Sequence, residues 1–265
     1  MLLRRSIPAA RRSGTLTLVT RPPPRRLSRS PRTEARFEAA ELTGQVRSHV
    51  VELGELRGAL HPAAAAALWR MRRAAARAGI DLVPASSFRD FETQVRNWNE
   101  KWTGRRPLLD RAGTRLDPAT LAPVRRVEAI LAWSAPPGAS RHHWGTELDV
   151  YDRAALAPGA RLGLVPEEYA PTGPFAGLTA WLDAHMGRHG FYRPYVNDRG
   201  GVQPEPWHLS HWPTARLASR RLRIGMIRAA IEGADIEGRA ALLRALPRIY
   251  ARYVRAVDRP PRSGV

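Results

Sequence analysis

The chain has 265 residues, 43% of them hydrophobic, enough for a real core in one large domain or in one domain with appendages. It has no cysteine, which excludes disulfides and thiolate ligands, so any metal must be held by His and carboxylates. The formal charge of +19 sits at the ends, with ten Arg against two Glu in residues 1–40 and twelve Arg against four acids in 214–265, around a nearly neutral middle. One basic residue alone is lysine, Lys101, so the excess reads as compositional bias as much as selection for a polyanion. That argues against nucleic-acid binding and leaves contact with an anionic wall polymer or membrane surface through the basic termini.

Residues 1–36 read as a disordered basic tail, with low hydrophobicity, clustered arginines and a triple proline, Pro22 to Pro24. Its apolar run LTLV is shorter than the ~7 residues of a secretory core segment, so no standard signal peptide is visible. From Phe37 the pattern is globular. Residues 61–80 predict a helix with Pro62 in its first turn and Gly79 at its C-terminal cap. Residues 81–86 predict a short strand. Asp90 is the N-cap of a helix through FETQVRNWNEKW. Residues 103–116 read as an exposed loop, and Asp117 with Pro118 opens a further helical element that carries VRRVEAILAW.

SRHHWGTELDVYD, residues 140–152, reads as a turn entering a strand. On that strand Glu147, Asp149 and Tyr151 share one face, and Leu148 and Val150 the other. Gly145 permits a backbone conformation that a Cβ would resist. FAGLTAWLDAHMGRHG makes an amphipathic helix closed by Gly190. FYRPY, the turn NDRGG and VQPEPWHLSHW form a hairpin that brings His208 beside Asp149. Residues 214–258 predict two basic amphipathic helices, broken near Gly233 and packed on the outside of a domain spanning 37–213.

These two stretches hold the inventory of a site that activates water with Zn2+. Catalytic zinc usually keeps three protein ligands and leaves a fourth position for water. The candidate ligands are His142, Asp149 and His208, with Glu205, three residues before His208, as the base. Asp152 is the rival carboxylate, but it falls on the opposite strand face from Asp149. His143 and His211 are expected to support the site or lie at the surface. The tryptophans Trp98, Trp133, Trp144, Trp181 and Trp207 are expected in the core or the pocket wall.

The pattern SxHxxGxxxD (Ser140, His142, Gly145, Asp149) followed by ExWH (Glu205, Trp207, His208) resembles the VanY-type zinc D-alanyl-D-alanine carboxypeptidases. SSFRDFETQ upstream resembles that family's S-x-[YF]-R-x-x-x-x-Q, with Arg89 and Gln94 five apart, and the likeness covers roughly residues 60–212. It implies that His142, Asp149 and His208 bind zinc and that Glu205 is general acid and base. It also implies that Arg89 steadies the developing charge or holds the substrate's terminal carboxylate, with Gln94 and Ser140 as supporting substrate contacts. Two positions depart from the family pattern. Glu147 stands where a small residue is usual and could narrow the site, pair with an arginine or change the substrate, and Asp90 replaces a Ser.

The sequence therefore predicts an α+β fold. A small, mainly antiparallel sheet is flanked by helices, the zinc site lies on its open face, and a C-terminal helical extension follows. The predicted activity is removal of the terminal D-Ala from peptidoglycan stem peptides by a monomeric enzyme. The alternatives are an L,D-carboxypeptidase or endopeptidase of the wall, a non-catalytic wall-binding protein, and a basic nucleic-acid-binding protein. A wall-binding protein has no need of a base at Glu205. The resemblance favours a periplasmic or cell-envelope location.

Overall fold

In the computed structural model, which describes residues 37–260, a short helix α1 (Ala39–Leu42) and a ribbon of β1 (Val51–Glu52) and β2 (Ala59–Leu60) precede α2 (Pro62–Ala76). The predicted basic tail lies outside the described residues. Helix α2 starts where His61 Nδ1 accepts from the Ala63 amide at 3.2 Å and Pro62 supplies a preset φ at the first position. Its buried stripe of Ala64, Leu68, Met71 and Ala75 has helical spacing. The helix stops at Ala76, three residues short of Gly79, whose φ of +78° turns the chain into β3 (Leu82–Ser86).

Asp90 caps α3 (Phe91–Trp102), its carboxylate accepting from the Thr93 amide at 2.7 Å. The expected loop at 103–116 is instead partly ordered as a ribbon of β4 (Leu108–Leu109) and β5 (Arg115–Leu116). Asp110 Oδ1 ties its turn by accepting from the amides of Ala112 and Thr114. Asp117 does cap a turn, but only the 3₁₀ segment Pro118–Thr120. Leu121 then goes extended, and helix α4 (Pro123–Ala132) starts afresh at the next proline. The second proline sets the boundary, because the residue before it is pushed out of the helical region.

The four-stranded sheet has the order β3, β6 (Glu147–Asp152), β8 (His208–His211), β7 (Phe191–Tyr192) and is antiparallel throughout. Leu148, Val150 and Leu209 turn one face toward α2 and α5 (Ala176–His185) in one core. Asp149 and His208 alternate onto the other face. The hairpin predicted between residues 191 and 211 is present, and the pairing of its second strand, β8, with β6 puts Asp149 opposite His208.

The C-terminal segment forms three helices, not two. They are α6 (Trp212–Arg221), α7 (Ile224–Glu232) and α8 (Arg239–Ile249), followed by a wider-wound turn Tyr250–Arg255. The additional break falls at Leu222 and Arg223, both extended in ψ. These helices share a second core with α3 and α4 through Trp98, Ile130, Ile227, Leu242 and Leu246. No helix among the described residues is long and apolar enough to cross a membrane.

Trp98 is fully buried, and its indole N–H donates to the Glu237 carbonyl at 3.0 Å, tying α3 to the turn before α8. Trp98→Ala is expected to lower the unfolding free energy by about 3–5 kcal/mol. Because α3 and the C-terminal helices share one core, denaturation followed by circular dichroism should show one transition. A separate early transition from those helices would contradict the shared core.

Candidate metal centre

Three elements meet at the polar face of the sheet. β6 supplies Asp149, β8 supplies His208, and the 3₁₀ turn Arg141–Trp144 supplies His142. That turn ends at Gly145 with φ +65°, and a Cβ there would lie 2.4 Å from Val50 Cγ1 and 2.9 Å from the His61 backbone N. Only glycine fits both demands, which accounts for its place in the motif. One ligand atom from each of His142, Asp149 and His208 lies within 4.8 Å of the other two, and all three residues are buried.

The tautomers follow from the acceptors around the two rings. His142 Nδ1 lies 2.7 Å from the Ser87 carbonyl, so it must carry the proton and leave the Nε2 lone pair toward the cluster. His208 Nε2 lies 2.9 Å from Glu147 Oε2, so it donates there and leaves Nδ1 toward the cluster. Nδ1 is 3.2 Å from Asp149 Oδ1 and 3.1 Å from Glu205 Oε2. Asp149 Oδ1 is buried yet makes no aligned hydrogen bond among the described residues. Two imidazole lone pairs and an unsatisfied carboxylate oxygen converging on one point, with no sulfur, form a donor set that fits zinc.

The charges favour a cation at this point. Burial alone would lower the pKa of the His208 imidazole, but the carboxylates of Asp149, Glu147 and Glu205 beside it carry it well above its ordinary value. Burial would raise the Asp149 carboxyl, yet His142 and His208 hold it far below the usual carboxylate range. Three carboxylates around one ring favour whatever positive charge can occupy the space between them.

Glu147 explains itself in the structure. It is 0% exposed, and it pairs with an arginine, one of the three roles the sequence left open. Arg141 Nη2 donates to Glu147 Oε1 at 3.1 Å, to Ser210 Oγ at 2.9 Å and to Tyr192 Oη at 3.2 Å. Thr146 Oγ1 and Ser210 Oγ also donate to Glu147 Oε1, at 2.9 and 2.8 Å. Burial opposes ionisation of Glu147, but Arg141 and the His208 bond lower its pKa to about 2. The carboxylate therefore stays charged and orients the His208 ring from outside the cluster. Arg141 was hidden in the sequence as an unspecified position between Ser140 and His142. The signal was an arginine six residues before Glu147, the first residue of an acidic strand.

The other site residues divide by position. Arg89, Ser140 and Glu205 line a cavity of about 740 Å³ together with His142, Asp149 and His208. Gln94 does not line it. Expected as a substrate contact, it is fully buried, accepts from Arg89 Nη1 at 3.0 Å and donates to the Ala135 carbonyl at 2.7 Å. Its structural place is behind Arg89, because α3 points that position into the core. Ser86 Oγ takes the second arm of the Arg89 guanidinium at 3.1 Å. His143 is buried and donates from Nδ1 to the Arg89 carbonyl at 2.6 Å, and burial lowers its pKa to about 3. His211 lies 3.1 Å from Thr214 Oγ1, away from the cluster. Asp152 accepts from the amides of Asp81 and Ala154 at 3.0 Å each and so serves the strand end.

A family profile described as VanY, D-alanyl-D-alanine carboxypeptidase, matches residues 57–214. An uncharacterised protein of Haemophilus influenzae is 37% identical over 118 residues, 44% of this chain and 90% of that protein. A second from the same organism is 42% identical over 97 residues, 36% of this chain and 66% of that protein. Among solved structures, the VanY D,D-pentapeptidase of a VanB-type vancomycin-resistance cassette, solved with Zn(II), is similar at 22% identity and TM-score 0.45. The match covers 66% of this chain and 84% of that one. An L,D-carboxypeptidase, DacB, from Streptococcus pneumoniae matches at 22% identity and TM-score 0.38, over 62% of this chain and 73% of that one.

Glu147→Gln keeps the shape of the side chain but removes the charge that orients His208. It is expected to weaken zinc affinity by about 10- to 100-fold, read by competition with a chromogenic chelator. Unchanged affinity would separate Glu147 from the metal. Glu147→Ala leaves the Arg141 guanidinium buried without its counter-ion and is expected to cost about 3–5 kcal/mol of stability.

Proposed function

The chain belongs to the VanY family of D-alanyl-D-alanine carboxypeptidases, peptidases of the cell wall, and from that premise we propose that it removes the terminal D-Ala from peptidoglycan stem peptides at a zinc site held by His142, Asp149 and His208. The observation that carries the reading is the convergence of one ligand atom each from His142, Asp149 and His208 within 4.8 Å, with Asp149 Oδ1 buried and without an aligned hydrogen bond among the described residues and Glu205 3.1 Å from His208 Nδ1. Zinc held there would acidify water from a pKa of ~15.7 to about 7 and polarise the scissile carbonyl.

The chain's own residues supply the remaining functions. Glu205 takes the proton of the attacking water and returns it to the leaving amine. Its side chain borders the cavity and is partly open to it, so a carboxylate can work there at the edge of solvent. Arg89 presents a planar guanidinium to the same cavity. Two of its arms are fixed by Gln94 and Ser86, which set its plane before substrate arrives. Burial lowers its pKa, Asp149 and Glu205 counter that, and arginine remains charged. It is placed to pair a free terminal carboxylate or to steady the oxyanion. Ser140 contributes to the wall beside His142.

Elemental analysis should find about one zinc per chain, lost in His208→Ala. Glu205→Ala is expected to keep the zinc and lose about 10²- to 10⁴-fold in hydrolysis of a D-Ala-D-Ala pentapeptide. Loss of zinc in that variant would make Glu205 a ligand and reopen the identity of the base. In a paired assay, wild type should prefer free-acid over amidated pentapeptide. Arg89→Lys should lower kcat/KM by about 10²- to 10³-fold with zinc retained. Equal cleavage of both peptides by wild type would replace the carboxypeptidase reading with an endopeptidase. A tetrapeptide cleaved in preference to the pentapeptide would indicate L,D specificity.

A further inference from the structure

The loop between β7 and β8 carries Glu205 and much of one cavity wall, including Tyr195, Val202, Gln203 and Pro204. Loops of this length hold a catalytic group in place only when their backbone polar groups are satisfied by something rigid. Inside the loop, the Glu205 amide donates to the Tyr195 carbonyl at 2.9 Å, so the position of Glu205 is tied to the segment around Tyr195. Arg193 Nε donates to the Pro206 carbonyl at 2.7 Å and closes the base of the loop.

What holds that segment lies past residue 214, where the family match ends. Asp258 is buried. Its Oδ2 accepts from the amides of Val196 and Asn197 at 2.9 Å each, and its Oδ1 accepts from Asn197 Nδ2 at 3.1 Å and Arg199 Nε at 2.7 Å. Its own amide donates to the Pro194 carbonyl at 2.9 Å. One residue therefore satisfies both directions of backbone hydrogen bonding beside Tyr195. Burial works against the Asp258 charge, but the donors from Asn197, Arg199 and Val196 hold its carboxyl below the usual range.

A second grip from the same segment follows along the loop. Arg252 Nε donates to the Gly200 carbonyl. At Gly201 a Cβ would lie 2.4 Å from the Arg252 carbonyl, so the two backbones approach too closely for any side chain. From the opposite side, Arg111 on the β4–β5 turn reaches the Gly201 carbonyl at 2.8 Å and Asp198 at 2.6 Å.

We propose that Asp258 is a positioning residue for catalysis, a latch by which the C-terminal extension fixes the loop bearing Glu205 and shapes the cavity wall. The proposal rests on Glu205 being the proton-transfer group. In this reading α6 to α8 deliver Asp258 and Arg252 to the loop, and that gives the extension a role at the active site.

The test uses the full chain with Asp258→Ala, Asp258→Asn and wild type. Hydrogen exchange is measured first, on protein stripped of metal. Asp258→Ala should raise exchange at the Val196 and Asn197 amides by roughly tenfold or more while α6 to α8 stay protected, and Asp258→Asn, which retains acceptor oxygen, should restore part of that protection. On a D-Ala-D-Ala pentapeptide, Asp258→Ala should lower kcat by about 10- to 100-fold, with bound zinc unchanged and Asn intermediate, because small misplacement of a catalytic group costs that much. Unchanged loop exchange, or exchange that rises equally through α6 to α8, overturns the latch. So does unchanged kcat in an Ala variant of an active enzyme. If wild type cleaves no peptide of this class, the proposed activity fails, and the exchange pattern alone then decides whether the latch stands.

Discussion

A carboxylate with no access to solvent stands at the centre of the site. Ionising Glu147 inside the protein costs several kcal/mol unless charged donors surround it, and here they do. Arg141, Ser210, Thr146 and His208 all point hydrogen-bond donors at its two oxygens. Each of these partners comes from an element the site needs, namely the turn that carries His142, the start of β6, and β8. The network thus fixes the relation of the two metal-facing segments before any ligand is considered. The ladder does the rest, because β6 and β8 pair Glu147 with Ser210 and Asp149 with His208. A slip of one residue would turn Asp149 into the apolar core and Leu148 toward the cavity.

Much of this was legible because chemistry restricts which residues can do it. Without cysteine, a metal site had to be built from His and carboxylates, and the sequence offers them in two short stretches. The alternation of TELDVY put Asp149 on one face and Leu148 on the other, and the hairpin signal around NDRGG placed His208 beside it. Glu147 was visible as a residue on the same face, but its partner was not. Arg141 looked like one more arginine in a chain with dozens, and nothing in a linear pattern says which arginine is buried. Gln94 was visible at the right spacing, yet spacing cannot tell a side chain that touches the cavity from one that stands behind Arg89.

The misread segments share a cause as well. Residues 103–116 are polar and rich in Gly and Arg, which reads as loop, but Asp110 tying two amides is enough to order a two-residue ribbon. Asp117 and Pro118 carry a helix-start signal, and a second proline five residues on takes the helix for itself. In the C-terminal region, helical periodicity was clear, but neither the break at Leu222 nor the purpose of the segment was. Basic amphipathic helices look alike whether they coat a surface or complete a core. What distinguishes these is tertiary, in Ile227, Leu242 and Leu246 packing with Trp98 and in an aspartate near the chain's end reaching the loop of residues 194–200.

The cations around the cavity are arranged by type. Arg141 sits behind the metal-facing residues as a permanent counter-ion to Glu147, where a fixed charge is needed and no proton should move. Arg89 sits at the cavity, held flat by Gln94 and Ser86, where a planar fork can meet a carboxylate or oxyanion. Lys101, the chain's one lysine, lies beneath them with its ammonium 3.5 Å from the Trp133 carbonyl. Burial lowers its pKa to about 8, with Glu205 pulling it up and Arg89 pushing it down. Near neutral pH it is therefore mostly charged, and it adds to the positive field on the Glu205 side of the cavity. On the His208 side the three carboxylates do the opposite and draw a cation in. The cavity is thereby polarised, with a cation-attracting end at His142, Asp149 and His208 and a positively charged end at Arg89. In the proposed function a zinc ion at the first would meet the scissile carbonyl oxygen, and the guanidinium at the second would meet the substrate's terminal carboxylate.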